Sequence, residues 1–184
     1  MKNPQRESRS DAISFQELSE ADFPLLQKWF SEPHVAEWWN ERFDLESVRA
    51  KYRPRIAGTE PTHVFVIKYR DRPVGLIQWY RWSDYPNHAQ MLEAKPEWAG
   101  VDLAIGVPEI LGQGIGSEAL GKFCQEVIFA DTGVSVIVSD PEEANIRSVR
   151  AFQKVGFTVM KKVTLRGESR PRPVVRLNMA SSRS

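Results

Sequence analysis

The stretch LGQGIGSEAL, residues 111–120, constrains the fold more than any other part of the chain. Its glycines at 112, 114 and 116 run directly into an apolar-periodic segment, so a tight backbone turn must open a helix there. Glycine at that density leaves a cluster of backbone N–H groups unobstructed at a helix N-terminus, an arrangement suited to a phosphate. An apolar strand, AGVDLAIG at 99–106, precedes the loop, and VPEIL at 107–111 separates the two. A Walker-type loop ends in Lys followed by Ser or Thr; Gly116 precedes Ser117 here, and the missing lysine excludes it. Gly114, Gly116 and Ala119 meet the dinucleotide pattern G-x-G-x-x-A, with Asp140 ending the next strand where a ribose-binding acid would sit. Two features count against a dinucleotide: VPEIL intervenes between strand and glycines, and only one complete β-α-β unit remains beyond the motif.

The pattern around the loop sets the fold class. AISFQEL (12–18) predicts a strand, followed by a helix capped by Ser19 with Phe23, Leu26, Trp29 and Phe30 at helical spacing. PHVAEWWN (33–40) predicts a short aromatic helix or turn, and DLESVRAKYRPRIAG (44–58) a helix opened by Asp44 and broken or kinked at Pro54. HVFVIKY and RPVGLIQWYRW form a hairpin turning at Arg70 and Asp71, whereas 83–98, rich in turn formers and acids, is expected to be irregular. After the glycine loop come a helix, the strand VSVIVSD, a second helix ending at Gly156 and a closing hairpin. Early hairpins followed by β-α-β predict a mixed α/β sheet with helices on both faces.

Composition narrows the function classes. A chain of 184 residues suits one domain, expected over 11–180, with frayed tails at 1–10 and 181–184. A net charge of +1 argues against a nucleic-acid partner. The absence of an apolar h-region or a run of roughly 18 apolar residues predicts a cytoplasmic protein with no membrane contact. Cys124 is the one cysteine, and His34, His63 and His88 lack ligand spacing, so no metal is expected. Cys124 falls on the apolar helix face with Leu120, Phe123, Val127 and Ile128, which predicts an inert core thiol.

DLAIGVPEILGQGIGSEAL followed by VSDPEEANIRSVRAFQKVGF resembles the two cofactor motifs of the GNAT superfamily of acyl-CoA N-acyltransferases. The resemblance implies a predominantly antiparallel central sheet, one parallel pair splayed at the cofactor strand, and helices on both faces. It implies acetyl-CoA as cosubstrate, with Ile105, Gly106 and Val107 beside the pantetheine and Asn145 approaching the cofactor. Gly112, Gln113, Gly114, Ile115, Gly116 and Ser117 would surround the pyrophosphate. Leu111 departs from the Gln or Arg that commonly leads this loop, so backbone amides would carry pyrophosphate binding. Phe152 stands where a Tyr is often proposed as general acid, leaving the protonation step unassigned.

Acyl transfer to an amine has its own requirements. The amine must be neutral to attack, although an alkylamine resembles lysine with a pKa of about 10.4. A carboxylate or a water relay takes the proton, and a strand N–H near Ile105 and Gly106 would stabilise the oxyanion. The thiolate, similar to a cysteine of pKa about 8.5, departs without a strong acid.

LLQKWFSEPHVAEWWN, PVGLIQWY and GVDLAIGVPEILGQGIG together resemble the aminoglycoside 6′-N-acetyltransferases, over residues 15–178. That resemblance implies Asp102 as base or amine anchor, Asp140 as an acceptor contact, and Trp38 and Trp39 as walls of the acceptor cleft. Independently, a polycationic acceptor requires carboxylates, and Asp84, Glu93, Glu97, Asp102 and Asp140 all fall in loops or strand ends on the expected acceptor side. His88, in the same acidic stretch, is an alternative base, and the basic run from Arg166 to Arg176 reads as solvated. Two other functions remain open at this point: a siderophore-pathway N-acyltransferase acting on a hydroxylysine-type amine, and a non-catalytic acyl-CoA-binding module. The acting unit is expected to be a monomer or homodimer.

Overall fold

The computed structural model describes residues 9–39, 42–131, 133–165 and 167–180; positions 1–8 and 181–184 of the expected tails lie outside the described residues. The chain runs β1 (Ile13–Glu17), α1 (Phe23–Ser31), α2 (Pro33–Trp39), α3 (Leu45–Ile56), β2 (His63–Tyr69), β3 (Arg72–Arg81) and α4 (Pro86–Leu92). It continues with β4 (Ala99–Ile105), α5 (Ile115–Phe123), β5 (Val136–Ser139), α6 (Ile146–Val155), β6 (Thr158–Val163) and β7 (Arg172–Asn178). The strands form one sheet in the order β1-β2-β3-β4-β5-β7-β6. Every pairing is antiparallel except β4 with β5. This is the mixed sheet that the hairpins and the β-α-β order predict, with the single parallel pair that the resemblance implies.

Strand alternation divides the core. Val64, Val66, Leu76 and Ala104 pack against Phe23, Leu26 and Trp29 of α1 and Val48 and Tyr52 of α3. Ile67, Ile77, Val101 and Ile137 pack on the other face against Ala119, Leu120 and Phe123 of α5 and Phe152 of α6. A smaller cluster of Trp82, Ala89, Leu92 and Trp98 seats α4 beside β5 and β7. Among the described residues no helix is long and apolar enough to cross a membrane.

Two local expectations need correction. α3 runs through Pro54 to Ile56. The proline sits in the last turn and its carbonyl accepts the amides of Thr59 and Glu60 at 2.9 and 3.1 Å; it withholds one hydrogen bond from the preceding turn without ending the helix. Within the stretch read as irregular, α4 forms: Pro86 starts it, Ala89 and Leu92 bury one face, and Glu93 ends it at φ 56°. Two buried positions in seven residues give too weak a periodicity to be read from sequence.

β4 and β5 pair at Ala99 with Ile137 and then diverge. One turn further on, the hydroxyl of Ser139, not a backbone amide, donates to the Val101 carbonyl at 3.0 Å. The far end of β4 is fixed from the opposite side. The Gly106 amide donates to Val74 O at 2.9 Å, and the Trp29 ring lies directly on Gly106, where a Cβ would stand 2.0 Å from its Cγ. Because Trp29 is itself packed in the core, Gly106→Ala is expected to cost about 1–3 kcal/mol, read as a lower urea midpoint at unchanged m-value.

Candidate active site

The divergence of β4 and β5 opens a cleft of about 280 Å³. α2 supplies Trp38 and Trp39, β3 supplies Gln78, β4 supplies Asp102 and Leu103, and the end of β5 supplies Ser139 and Asp140. Asn145, Ser148 and Phe152 close it from the α6 side, with Glu142 and Arg172 at its edge. Trp39 stacks on Phe30 with ring centroids 5.7 Å apart, which anchors α2 to the core, while the Arg170 guanidinium covers Trp38 at 5.6 Å. Both indoles line the cleft.

Asp102 and Gln78 are cross-strand partners in the β3–β4 register, and Gln78 Nε2 donates to Asp102 Oδ2 at 3.0 Å. Gln78 is held in turn by Arg55, whose Nη1 donates to its Oε1 at 2.9 Å, and Arg55 is paired with Glu60 at 2.8 Å. The Asp102 carboxyl reaches the cleft and is half-buried. Burial raises its pKa above the usual carboxylate value and the Asp140 charge adds to this, against the opposing Gln78 hydrogen bond and the charges of His88 and Arg55. A carboxylate so disposed is a better proton acceptor than an exposed one.

Asp140 is buried, and its carboxylate Oδ2 lies 3.2 Å from Nε2 of His88 on α4. Its backbone carbonyl accepts from Arg172 Nη1 at 3.0 Å. Arg172 also donates to Glu168 at 2.8 Å and to Glu142 at 3.3 Å. The hydrogen bond to Asp140 raises the His88 pKa, with burial opposing.

On the donor side, Gly112 and Gly114 adopt φ of +76° and +85°, and Gly114 caps α5. Gly116 packs against Ile105, where a Cβ would meet the side chain at 3.3 Å, so the helix start lies against the cofactor strand. Ser117 Oγ turns back to Gly114 O at 2.9 Å, leaving the first-turn amides of α5 as the donors facing outward. Two cations flank the loop: a Cβ on Gly114 would lie 3.3 Å from Lys154 Nζ and 3.4 Å from an Arg9 guanidinium nitrogen. Arg9 Nη1 also donates to Gln113 O at 2.8 Å, and Lys122 Nζ to Ser10 O at 3.0 Å, so both residues at the end of the expected tail are held against the fold. This donor set of amides and cations fits a pyrophosphate.

The peptide joining Ile105 to Gly106 is saturated by protein: its N–H goes to Val74, and its carbonyl lies 2.8 Å from Nε2 of His34. It is therefore no oxyanion donor, contrary to part of the expectation. Antiparallel alternation turns the Asp102 and Ala104 amides toward β3 and those of Leu103 and Ile105 toward the open edge.

The fold thus brings Trp38, Trp39, Asp102, Asp140 and Asn145 to one cleft. Glu93 is not among the residues lining it; it ends α4, largely exposed, in an ion pair with Lys161 at 2.6 Å. Asp84 and Glu97 do not line it either, and both are exposed. Asn145 also caps α6, accepting Ser148 N–H at 3.1 Å. The arginine run is not simply solvated, because Arg170 and Arg172 turn toward the cleft. The sequence singles out His88 only as an alternative base and Arg172 only as part of the basic run, whereas Gln78 and Ser139 carry no local motif; the place of Gln78 opposite Asp102 is set by strand register. Among the described residues no group of three or more His, Cys, Asp or Glu stands close enough to hold a metal ion.

A splayed parallel pair with a glycine loop at a helix start defines an acyl-CoA-dependent transferase, and residues 19–165 match the family described as acetyltransferase (GNAT) domain; the chain belongs to that family. Within it, the chain is similar to the aminoglycoside N(6')-acetyltransferases. The type 1 proteins of Klebsiella pneumoniae and Serratia marcescens are 27% identical over 158 residues, which span 84% of this chain and 78% of theirs. The solved aminoglycoside acetyltransferase AAC(6')-Ib in complex with coenzyme A is 25% identical with a TM-score of 0.81, covering 90% of this chain and 94% of that one. The same enzyme with ribostamycin and coenzyme A gives 0.82 at 25% identity, over 91% and 94%.

The raised Asp102 pKa has a consequence for stability. The native state holds the proton more tightly than the unfolded chain, so stability falls as pH rises from the unfolded carboxylate value through the native one. Asp102→Asn, which keeps the shape and an acceptor for Gln78, is expected to match or exceed the wild-type melting temperature at neutral pH. The difference is expected to vanish in acid, where wild-type Asp102 is itself neutral; calorimetry across pH checks it.

Proposed function

We propose that this protein transfers the acetyl group of acetyl-CoA to the 6′-amine of aminoglycoside antibiotics by direct attack in a ternary complex. The observation that carries it is the cleft at the β4–β5 divergence, whose lining includes the carboxylates of Asp102 and Asp140 and the indoles of Trp38 and Trp39. Carboxylates suit a polycation, and indole faces suit sugar rings and ammonium groups. Asp102 takes the proton of the attacking amine, and Asp140 anchors a second ammonium. The amide of Leu103 or Ile105 on the open β4 edge serves the oxyanion. The amine nitrogen bonds to the acetyl carbonyl carbon, and the tetrahedral oxyanion then collapses with cleavage of the C–S bond; coenzyme A leaves as thiolate, which water protonates. The α5 amides hold the pyrophosphate, with Arg9 and Lys154 adding the charge that Leu111 does not supply.

Cys124 takes no part as an acyl carrier, because it is fully buried and burial pushes its pKa up to about 12. A hydroxylysine-type acceptor would present a carboxylate and require a free cation. Arg172 lines the cleft, but its guanidinium is engaged by Asp140, Glu142 and Glu168. The proposal includes a cytoplasmic location and a monomer or homodimer as the acting unit.

Wild-type protein is expected to release free thiol from acetyl-CoA when kanamycin is added, with one acetyl group mapped to the 6′-nitrogen. No release at millimolar antibiotic, with the protein shown folded, overturns this function. Asp102→Asn is expected to lower kcat by about 10²–10⁴-fold with little change in acetyl-CoA affinity; unchanged turnover would remove Asp102 from its role.

A further inference from the structure

We propose that His88 is the internal counter-cation of the acceptor cleft: it occupies the Asp140 carboxylate in the free protein and yields it to an ammonium group of the acceptor. The inference rests on the polycation reading of the cleft and adds a residue that sets acceptor affinity.

Geometry carries it. His88 stands on α4, which is seated by Ala89 and Leu92 under Trp82 and Trp98. The imidazole lies 5.3 Å from the Trp82 ring, centroid to centroid, which aims Nε2 at Asp140 Oδ2, 3.2 Å away. Arg172 is also near, but its guanidinium is 3.7 Å from that oxygen and its hydrogen bond goes to the Asp140 backbone carbonyl instead. Among the described residues, His88 is therefore the one side chain hydrogen-bonded to the Asp140 carboxylate. The Asp140 side chain is 9% exposed and that of His88 38%, so the carboxylate is enclosed while the imidazole has room to withdraw.

The charges facing His88 come from three elements: Asp140 after β5, Asp102 on β4 and Arg172 on β7. The two carboxylates favour the imidazolium, and Arg172 opposes it. An incoming ammonium at Asp140 adds a like charge beside the ring and removes its partner, so the ring loses its proton to solvent. Acceptor binding and proton release from His88 are then linked. The bound state holds fewer protons, so acceptor affinity rises as pH rises through the free-protein His88 pKa. An amine without charge at that position would not displace the ring and would show no such linkage.

The test compares wild type with His88→Gln, which keeps a hydrogen-bond donor for Asp140 without the charge. Kanamycin binding is measured by calorimetry at about pH 6 and about pH 8.5, on either side of the ordinary histidine pKa of about 6.5. At the lower pH the variant is expected to bind about tenfold more tightly, about 1.4 kcal/mol. At the higher pH the two are expected to agree within about twofold. A merely structural role predicts weaker binding by the variant at both. In parallel, the His88 ring signal in wild type is followed by NMR, assigned among the three histidines by substitution. Its titration midpoint is expected to fall in Asp140→Asn and on adding kanamycin. Equal or weaker binding by the variant at the lower pH, or a His88 midpoint unmoved by kanamycin, overturns the proposal. If wild type acetylates kanamycin while either result holds, this inference alone fails; if wild type neither binds nor acetylates it, the polycation reading fails as well.

Discussion

The parallel contact between β4 and β5 is confined to Ala99 and Ile137, and the cleft depends on that restriction. Had the two strands stayed paired, the amides and carbonyls of Val101, Leu103 and Ile105 would be consumed by the ladder. Divergence leaves an exposed strand edge inside the sheet, normally a liability. The chain contains it with side chains: Ser139 covers the Val101 carbonyl and His34 the Ile105 carbonyl, with the edge between them left open. α2 carries His34 at one end and the two tryptophans at the other, so the helix that ties off the end of β4 also walls the cleft.

The two cleft carboxylates are prepared by different means. Asp102 sits in the middle of a strand, steadied by a neutral amide, and burial makes it hold a proton more readily. Asp140 leaves the end of β5 and is met by His88 and Arg172. One is suited to moving a proton and the other to holding a charge, a separation of roles achieved by surroundings alone. Other carboxylates are neutralised locally: Glu142 and Glu168 serve Arg172, and Glu93 serves Lys161.

The outer edge of the sheet shows an ordinary defence. β6 presents Val159 and Met160 to solvent, but its register slips between Val159 and Lys161, and Lys161 and Lys162 follow directly. A bulge and two lysines discourage a further strand from adding there.

Much of the donor side was legible from residues alone because its determinants are local. Positive φ at Gly112 and Gly114, the helix they open and the apolar strand upstream all follow from contiguous sequence. Asp102 was legible as a charge interrupting an apolar strand. α4 was not, since two buried residues in a heptapeptide carry too little periodicity, and α3 continues two residues past Pro54, which by itself reads as a break. The sequence by itself determined most of the element types, the glycine turn that opens α5 and the one carboxylate placed within β4. Only the tertiary structure decided that Gln78 steadies that carboxylate, that His88 and Arg172 meet at Asp140, and that Glu93 turns away. Those contacts join residues from separate strands and helices, and their register is set by packing rather than by any local pattern.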